Sequence, residues 1–402
     1  MSDPNLFYNP FQPGYSEDPY PHLQELREND PVHNNPLGIW IMFRYDDIVQ
    51  MLRDRTLSVE DRNIVPNEQM LLLGDAFAQE SDRGGNSMLG RDPPDHTRLR
   101  RLVSKAFTPR MIEQLRPRVE ELVNSSLDAA GPEWDVIDGL AFPLPFAVIS
   151  QMLGTPETDS VQLRQWSGMV VRSLEPVADP EVLKAIAAAA ENLEGLVLEI
   201  IKWKRANPAD DLLSGLIAAE EDGDKLSEEE LADQVALLYI AGHETTVNLI
   251  GNGILGLLRH RHQFERLRQD PKLAAGSIDE FLRFDSPVQS TRRITLSPIS
   301  VGDTQIDTGA FVVLSLASAN RDPAKWGPDA DQLDITRQNA ADHVSFGGGN
   351  HHCLGAHLAR LEGEVAISRL IQRFPNMDIA GDLVWNGRTN LRGLTHLPVT
   401  TS

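Results

Sequence analysis

The chain has a single cysteine in 402 residues, so no disulfide can form within it and a reducing compartment is the expected setting. Basic residues are in deficit: 37 Lys and Arg stand against 59 Asp and Glu, a formal net charge of −22. A surplus of that sign argues against nucleic acid or an anionic membrane surface as a general partner, because both would repel it. Long apolar runs are missing too, and no stretch approaches the roughly 18 residues a membrane span needs. Residues 1–14 have neither a basic start nor an apolar core, so neither a signal peptide nor an anchor is expected there. A soluble, cytoplasmic protein is the expectation. Length alone would allow two or three domains, but no stretch reads as a linker, so one domain over 1–402 is expected. With 41% apolar and 24% charged residues it has the means to bury a large core.

The lone cysteine sits in Phe346-Gly347-Gly348-Gly349-Asn350-His351-His352-Cys353-Leu354-Gly355. Gly347, Gly349 and Gly355 permit positive φ and let backbone approach something bulky. Helical apolar spacing follows in Leu354, Leu358, Leu361, Val365 and Leu370, which places the thiol at a helix N-terminus. Free N–H groups and the helix dipole there stabilise an anion, so the thiolate can serve as nucleophile or metal ligand. A buried structural cysteine is the competing reading, but a core cysteine needs no collar of three glycines.

The most informative helix opens at Leu226-Ser227-Glu228-Glu229-Glu230, where Ser227 and Glu230 have the spacing of a capping box. Apolar positions continue through Leu231, Val235, Leu238, Leu249 and Leu257 to about His260, with no internal proline. A helix of that length crosses a whole domain and has to be central. Within it, Ala241-Gly242-His243-Glu244-Thr245-Thr246 puts a glycine, an acid and two hydroxyls where propensity and burial both disfavour them. Such rule-breaking is expected at functional sites. A zinc reading of His243-Glu244 fails, since the second histidine of His-Glu-x-x-His would fall at 247, which is Val247.

Asp92-Pro93-Pro94-Asp95 signals the start of a basic helix carrying His96, Arg98, Arg100, Arg101 and Lys105. His96 and Arg100, four apart, share a face; a solvated basic face is the plain alternative. Glu280 and Arg283, at i and i+3, read by themselves as an ordinary ion pair. Elsewhere, helices are predicted over Tyr20 to Asn29 and Asp46 to Arg53, and a small hairpin over 31–43. Regularity is lost over 54–91, and several helices follow from 109 to 205. Breaks are expected at Gly131-Pro132, Pro143, Pro145, Gly154-Thr155-Pro156 and Pro176 to Pro180. More β-like alternation appears over 289–315 and 377–400. The fold class is mainly α with a small β-rich part.

Phe346-Gly347-x-Gly349-x-His351-x-Cys353-x-Gly355, running on into Leu358-Ala359-Arg360, resembles the haem-binding signature of the cytochrome P-450 family. The resemblance covers nearly the whole chain, most strongly 92–110 and 226–365. It implies a triangular helical body with haem b between the long helix and the cysteine loop. Cys353 would be the axial iron ligand, with Phe346 and Gly349 in the cofactor loop. His96, Arg100, Arg293 and His351 would hold the haem propionates, Arg292 being the competing candidate for Arg293. Ala241 to Thr245 resembles the family's element over the distal face, where Glu244 and Thr245 would handle protons and act as the catalytic pair.

Glu280, Arg283 and Arg337 would form a structural triad that holds the thiolate loop. Trp326 and Leu333 stand where the family more often has Phe, a change that keeps the packing apolar. The segments 54–91 and 171–180 would cover the substrate. Pocket residues are expected around 62–91, 166–180, 237–245, 288–292 and 390–394. The implied reaction is monooxygenation of a small to medium apolar substrate. Since no flavin or nicotinamide fingerprint is present, electrons would come from a ferredoxin and its reductase. Arg98, Arg101 and Lys105 would offer that acidic donor a local positive patch. Peroxide-driven hydroxylation and a non-catalytic haem sensor are the alternatives; the acid and alcohol at 244 and 245 disfavour both.

Overall fold

The computed structural model describes residues 6–66, 85–175, 177, 179–218 and 226–401. Its axis is the helix Glu228–Arg259. Ser227 Oγ accepts from the Glu230 N–H at 3.1 Å, and Glu230 Oε2 accepts from the Ser227 N–H at 3.0 Å, so the capping box forms as the sequence predicts. From Val247 to Leu255 every residue is buried, because other helices cover this one on all sides. Pro143–Leu153, Pro180–Ala206, Ala274–Phe284 and Ala356–Arg373 all pack on it. One apolar cluster joins Val235, Ile250 and Ile254 of the long helix to Ile149, Val197, Ile278 and Leu370 of these neighbours.

The β-rich part lies to one side. A five-stranded sheet runs, in spatial order, Val32–Asn34, Trp40–Met42, Phe311–Ser315, Ser290–Thr295 and Leu57–Ser58. Trp40–Met42 pairs in parallel with Phe311–Ser315, and the other pairings are antiparallel. A second sheet of three strands ties Pro398–Thr400 to Glu133–Asp135 and Asp378–Ile379. The mainly helical fold with small sheets is the one expected.

Three local expectations need correction. The helical turn Ile137–Ala141 ends before Pro143, as expected, but Pro145 breaks nothing: it lies in the first turn of Pro143–Leu153, where a missing N–H costs nothing. Within 54–91, Leu57–Ser58 is a strand and Asp61–Asn63 and Met88–Gly90 are single turns, while 67–84 lies outside the described residues. Two-residue strands are set by pairing with Ile294 and Thr295, which no local period reveals. Gly355 has φ −83°, ordinary for any residue, with open space where a Cβ would stand. Of the 171–180 segment, Pro176 and Ala178 also lie outside the described residues.

Candidate active site

The cysteine loop is shaped by short backbone bonds. The Cys353 N–H donates to Phe346 O at 2.8 Å, and the Gly347 N–H to Val344 O at 2.8 Å. Gly347 and Gly349 take φ +66° and +64°, the left-handed region where glycine carries no penalty. Gly349 has a second constraint: a Cβ there would lie 2.3 Å from Leu52 O. The Phe346 ring packs between His343 and His352, under the Arg360 guanidinium. Cys353 itself is exposed at its surface, yet its thiol is crowded by protein. Burial pushes the thiol up; the Gly355 N–H and the charges of Arg100 and Arg360 pull it back only in part.

Behind this loop a buried ion pair acts as a bracket. Arg283 donates to both oxygens of Glu280 at 2.7 and 2.8 Å, and both side chains are fully buried. The remaining Arg283 donors reach Asn320 O, Ala330 O and Gln332 O, and Arg337 closes on Glu280 at 3.4 Å. Every charge is met, which is the condition for burying it. Asn320 passes the bracket forward: its amide holds Val344 N and Ser345 Oγ, the residues that lead into Phe346. The expected Glu280, Arg283 and Arg337 triad is therefore formed. Trp326 and Leu333 are both buried beside it.

Four basic groups from three separate elements meet beside the cysteine loop. His96 and Arg100 come from the helix Asp95–Ser104, Arg293 from the strand Ser290–Thr295 and His351 from the loop itself. The His96 and His351 rings are 4.3 Å apart, and Arg100 Nη2 donates to His352 O at 2.7 Å. Burial, then the neighbouring His96, Arg293 and Arg100, pushes the His351 imidazole down to about 3. Burial also pushes Arg293 down to about 10, with Asp92 opposing, and lowers Arg100 and His96. Arg293 is 4% exposed, and both nitrogens of the buried His96 ring lack a hydrogen-bond partner among the described residues.

Buried donors left unmet by protein are rare and costly. A ligand with two carboxylates, lying against the cysteine loop, would satisfy these donors and reverse each shift. Haem carries that pair of carboxylates, so the residues present fit it. Arg292 is excluded from the cluster: it points to the other face of the strand and pairs with Asp61 Oδ2 at 2.8 Å.

In the long helix, Thr245 Oγ1 donates to Ala241 O at 2.9 Å, the backward bond that loosens a helix locally. Ala241 is exposed although it stands mid-helix. His243 is fully buried: Tyr239 O at 2.6 Å can only accept, so Nδ1 carries the proton and Nε2 accepts from Ser167 Oγ at 3.1 Å. Burial keeps this ring neutral, and its 3.8 Å approach to Glu244 is no ion pair. Glu244 is paired instead with Arg388, Nη1 to Oε2 at 2.9 Å. Arg388 was not marked by the sequence, where a single arginine 144 positions away carries no signal.

A cavity of about 600 Å³ opens on this side, lined by Glu244, Asn248, Arg164, Arg172, Met169 and Arg388 among others. The expected pocket segments 166–180, 237–245 and 390–394 contribute to it; 288–292 does not, and neither do Ala241, Thr245 and Cys353.

Among the described residues, no helix is long and apolar enough to cross a membrane. The family model described as Cytochrome P450 matches residues 176–376. Cytochrome P450 107B1 of Saccharopolyspora erythraea is 42% identical over 97% of this chain and 96% of its own. Vitamin D(3) 25-hydroxylase of Pseudonocardia autotrophica is also 42% identical, over 97% and 95%. The solved structure of the bacillaene polyketide synthase cytochrome P450 PksS of Bacillus subtilis superposes with a TM-score of 0.88 at 36% identity, covering 98% of this chain and all of that one. The chain belongs to the bacterial cytochrome P450 family of monooxygenases and hydroxylases, oxidoreductases whose cofactor is a haem iron.

Proposed function

We propose that the protein is a haem-thiolate monooxygenase in which Cys353 is the axial ligand of haem b. The observation that carries this is the convergence of His96, Arg100, Arg293 and His351 beside the cysteine loop, with the donors of His96 unmet. In this reading those four groups bind the two propionates, the cationic pair of arginines in the charge-assisted manner that suits carboxylates. Phe346 and Gly349 act through the shape of the loop: Phe346 O anchors the Cys353 N–H, and Gly349 lets the chain pass beneath Leu52. The Glu280, Arg283 and Arg337 bracket keeps the loop in place and takes no part in the chemistry.

When bound, haem b supplies the activation of dioxygen, one atom entering the substrate and the other leaving as water. The chain supplies the protons. Glu244, at the edge of a cavity and 9% exposed, exchanges protons with solvent, and Thr245 carries a hydroxyl on the adjoining face of the helix. Ala241 leaves room beside them. The substrate is a small to medium apolar compound, and the vitamin D(3) 25-hydroxylase and the polyketide-synthase P450 among the relatives support the upper end of that range. Two electrons come from a ferredoxin and its reductase, docking on the basic side that carries Arg101 and Lys105; Arg98, expected in the same patch, is drawn into pairs with Glu230 and Asp95.

The test is turnover of the haem-loaded protein on a panel of vitamin D3, a macrolide and a fatty acid. Product with ferredoxin, reductase and NADPH supports the reading. Product with peroxide and none with the ferredoxin supply identifies a peroxide-driven hydroxylase; a bound haem that gives no product from either supply on compounds that bind and shift its Soret band favours a sensor.

A further inference from the structure

Arg388 lies in the loop 386–393 and bridges two helices with one guanidinium. Nη1 donates to Glu244 Oε2 of the long helix at 2.9 Å, and Nη2 to Gly168 O of the helix Ser160–Val171 at 3.1 Å. Room for this bridge exists because residue 168 has no side chain: a Cβ there would stand 3.0 Å from Arg388 Nη2 and 3.5 Å from Glu244 Oε1. A guanidinium held at both ends of its fork has a single orientation, which an ammonium would not.

The loop that carries Arg388 is itself fixed. Asn386 Oδ1 accepts from the Arg388 N–H at 3.0 Å, and Asn386 Nδ2 donates to Leu391 O at 2.8 Å. From outside, the buried carboxylate of Glu175 accepts the N–H groups of Thr389 and Asn390 at 2.5 and 3.0 Å. Glu175 follows directly on the turn that ends the Ser160–Val171 helix. A chain of charge-assisted contacts thus runs from Glu175 through two backbone amides to Arg388 and on to Glu244, along the wall of the 600 Å³ cavity.

We propose that Arg388 is a positioning residue for Glu244, holding its carboxylate toward the cavity, and that Glu175 sets Arg388 by fixing its loop. The inference rests on the reading of Glu244 as the proton-handling acid. It adds a dependence that the pair 244 and 245 does not contain: the acid's position is decided from the far end of the Ser160–Val171 helix. Displacing that helix end would release the loop, and with it the acid.

Hydrogen exchange and the C–O stretch of the carbon monoxide complex of the reduced, haem-loaded protein test this without any substrate. In Glu175→Gln, amides 389 and 390 lose a charged acceptor and are expected to exchange roughly tenfold faster or more. In Arg388→Gln the C–O band shifts, and Arg388→Lys, which keeps the charge, returns it at least part of the way. In a Glu244→Gln background, Arg388→Gln leaves the band where it is, because the arginine acts only through the acid. An equal shift in both backgrounds, no shift in either, or unchanged exchange in Glu175→Gln overturns the proposal. If the unaltered protein forms no thiolate-type carbon monoxide complex at all, the haem-thiolate reading fails, and this inference with it.

Discussion

Arg292 and Arg293 are neighbours in one strand and do opposite things. Arg293, 4% exposed, joins His96, Arg100 and His351, while Arg292 turns to the other face and holds Asp61 at 2.8 Å. The alternation of side chains along a strand separates them.

The two arginines should therefore separate in an assay of haem retention. With Arg293 binding a propionate as proposed above, Arg293→Ala would lose a buried, charge-assisted contact and is expected to weaken haem binding by roughly 10- to 100-fold, the span of about 1.5–3 kcal/mol for such a bond. Arg292→Ala should leave haem retention unchanged and, because it takes the charged partner from the nearly buried Asp61 carboxylate, should lower stability by about 1–3 kcal/mol. Transfer of haem to apomyoglobin measures the first, and a denaturant midpoint the second.

Cys353→Ala should abolish the thiolate-type absorption of the reduced carbon monoxide complex and all turnover, because no other thiol exists in the chain. A retained band in the variant would place the ligand elsewhere.

Glu280 and Arg283 should be costly to break one at a time. Arg283→Ala leaves a fully buried carboxylate with Arg337 at 3.4 Å as its remaining charge partner and the Asp334 N–H at 2.9 Å, a loss of about 3–5 kcal/mol by denaturant unfolding. Arg283→Lys should rescue little, since one ammonium cannot replace the contacts to Glu280, Asn320, Ala330 and Gln332.

Glu362, on the Ala356–Arg373 helix, is fully buried, and neither of its oxygens has a full hydrogen-bond partner among the described residues. Burial pushes its carboxyl well above the usual 4.5, with the Thr246 hydroxyl opposing less strongly. A raised pKa means that the folded chain holds this proton where the unfolded chain has lost it. The stability it contributes is complete below about pH 4.5 and is lost as pH rises toward the folded value, by up to about 1.4 kcal/mol per pH unit. Glu362→Gln should flatten that slope above pH 5 and raise stability at the alkaline end; equal slopes in both proteins would contradict a protonated Glu362.

Two glycines of the cysteine loop should respond differently. Gly349→Ala meets φ +64° and Leu52 O at 2.3 Å, and should lose at least about 1–3 kcal/mol. Gly355→Ala, at φ −83° with open space, should stay within about 1 kcal/mol of the unaltered chain. Thermal unfolding of the two variants side by side decides it.

What the sequence by itself determined is the set of features whose partners lie within a few residues. The capping box at Ser227 and Glu230, the positive-φ turns at Gly347 and Gly349, and the Glu280 and Arg283 pair are all local. Turn chemistry and helical spacing act over three or four positions, so they can be read along the chain. Local rules misled at Pro145, where a breaker in mid-helix is tolerated in the first turn. Only the tertiary structure decided that Arg293 and not Arg292 joins the basic cluster, that Arg388 holds Glu244 from 144 positions away, and that Glu175 fixes its loop from 214. Contacts between distant residues have no spacing to betray them; they exist because packing of the long helix and the C-terminal loops brings together charges that could not be buried apart.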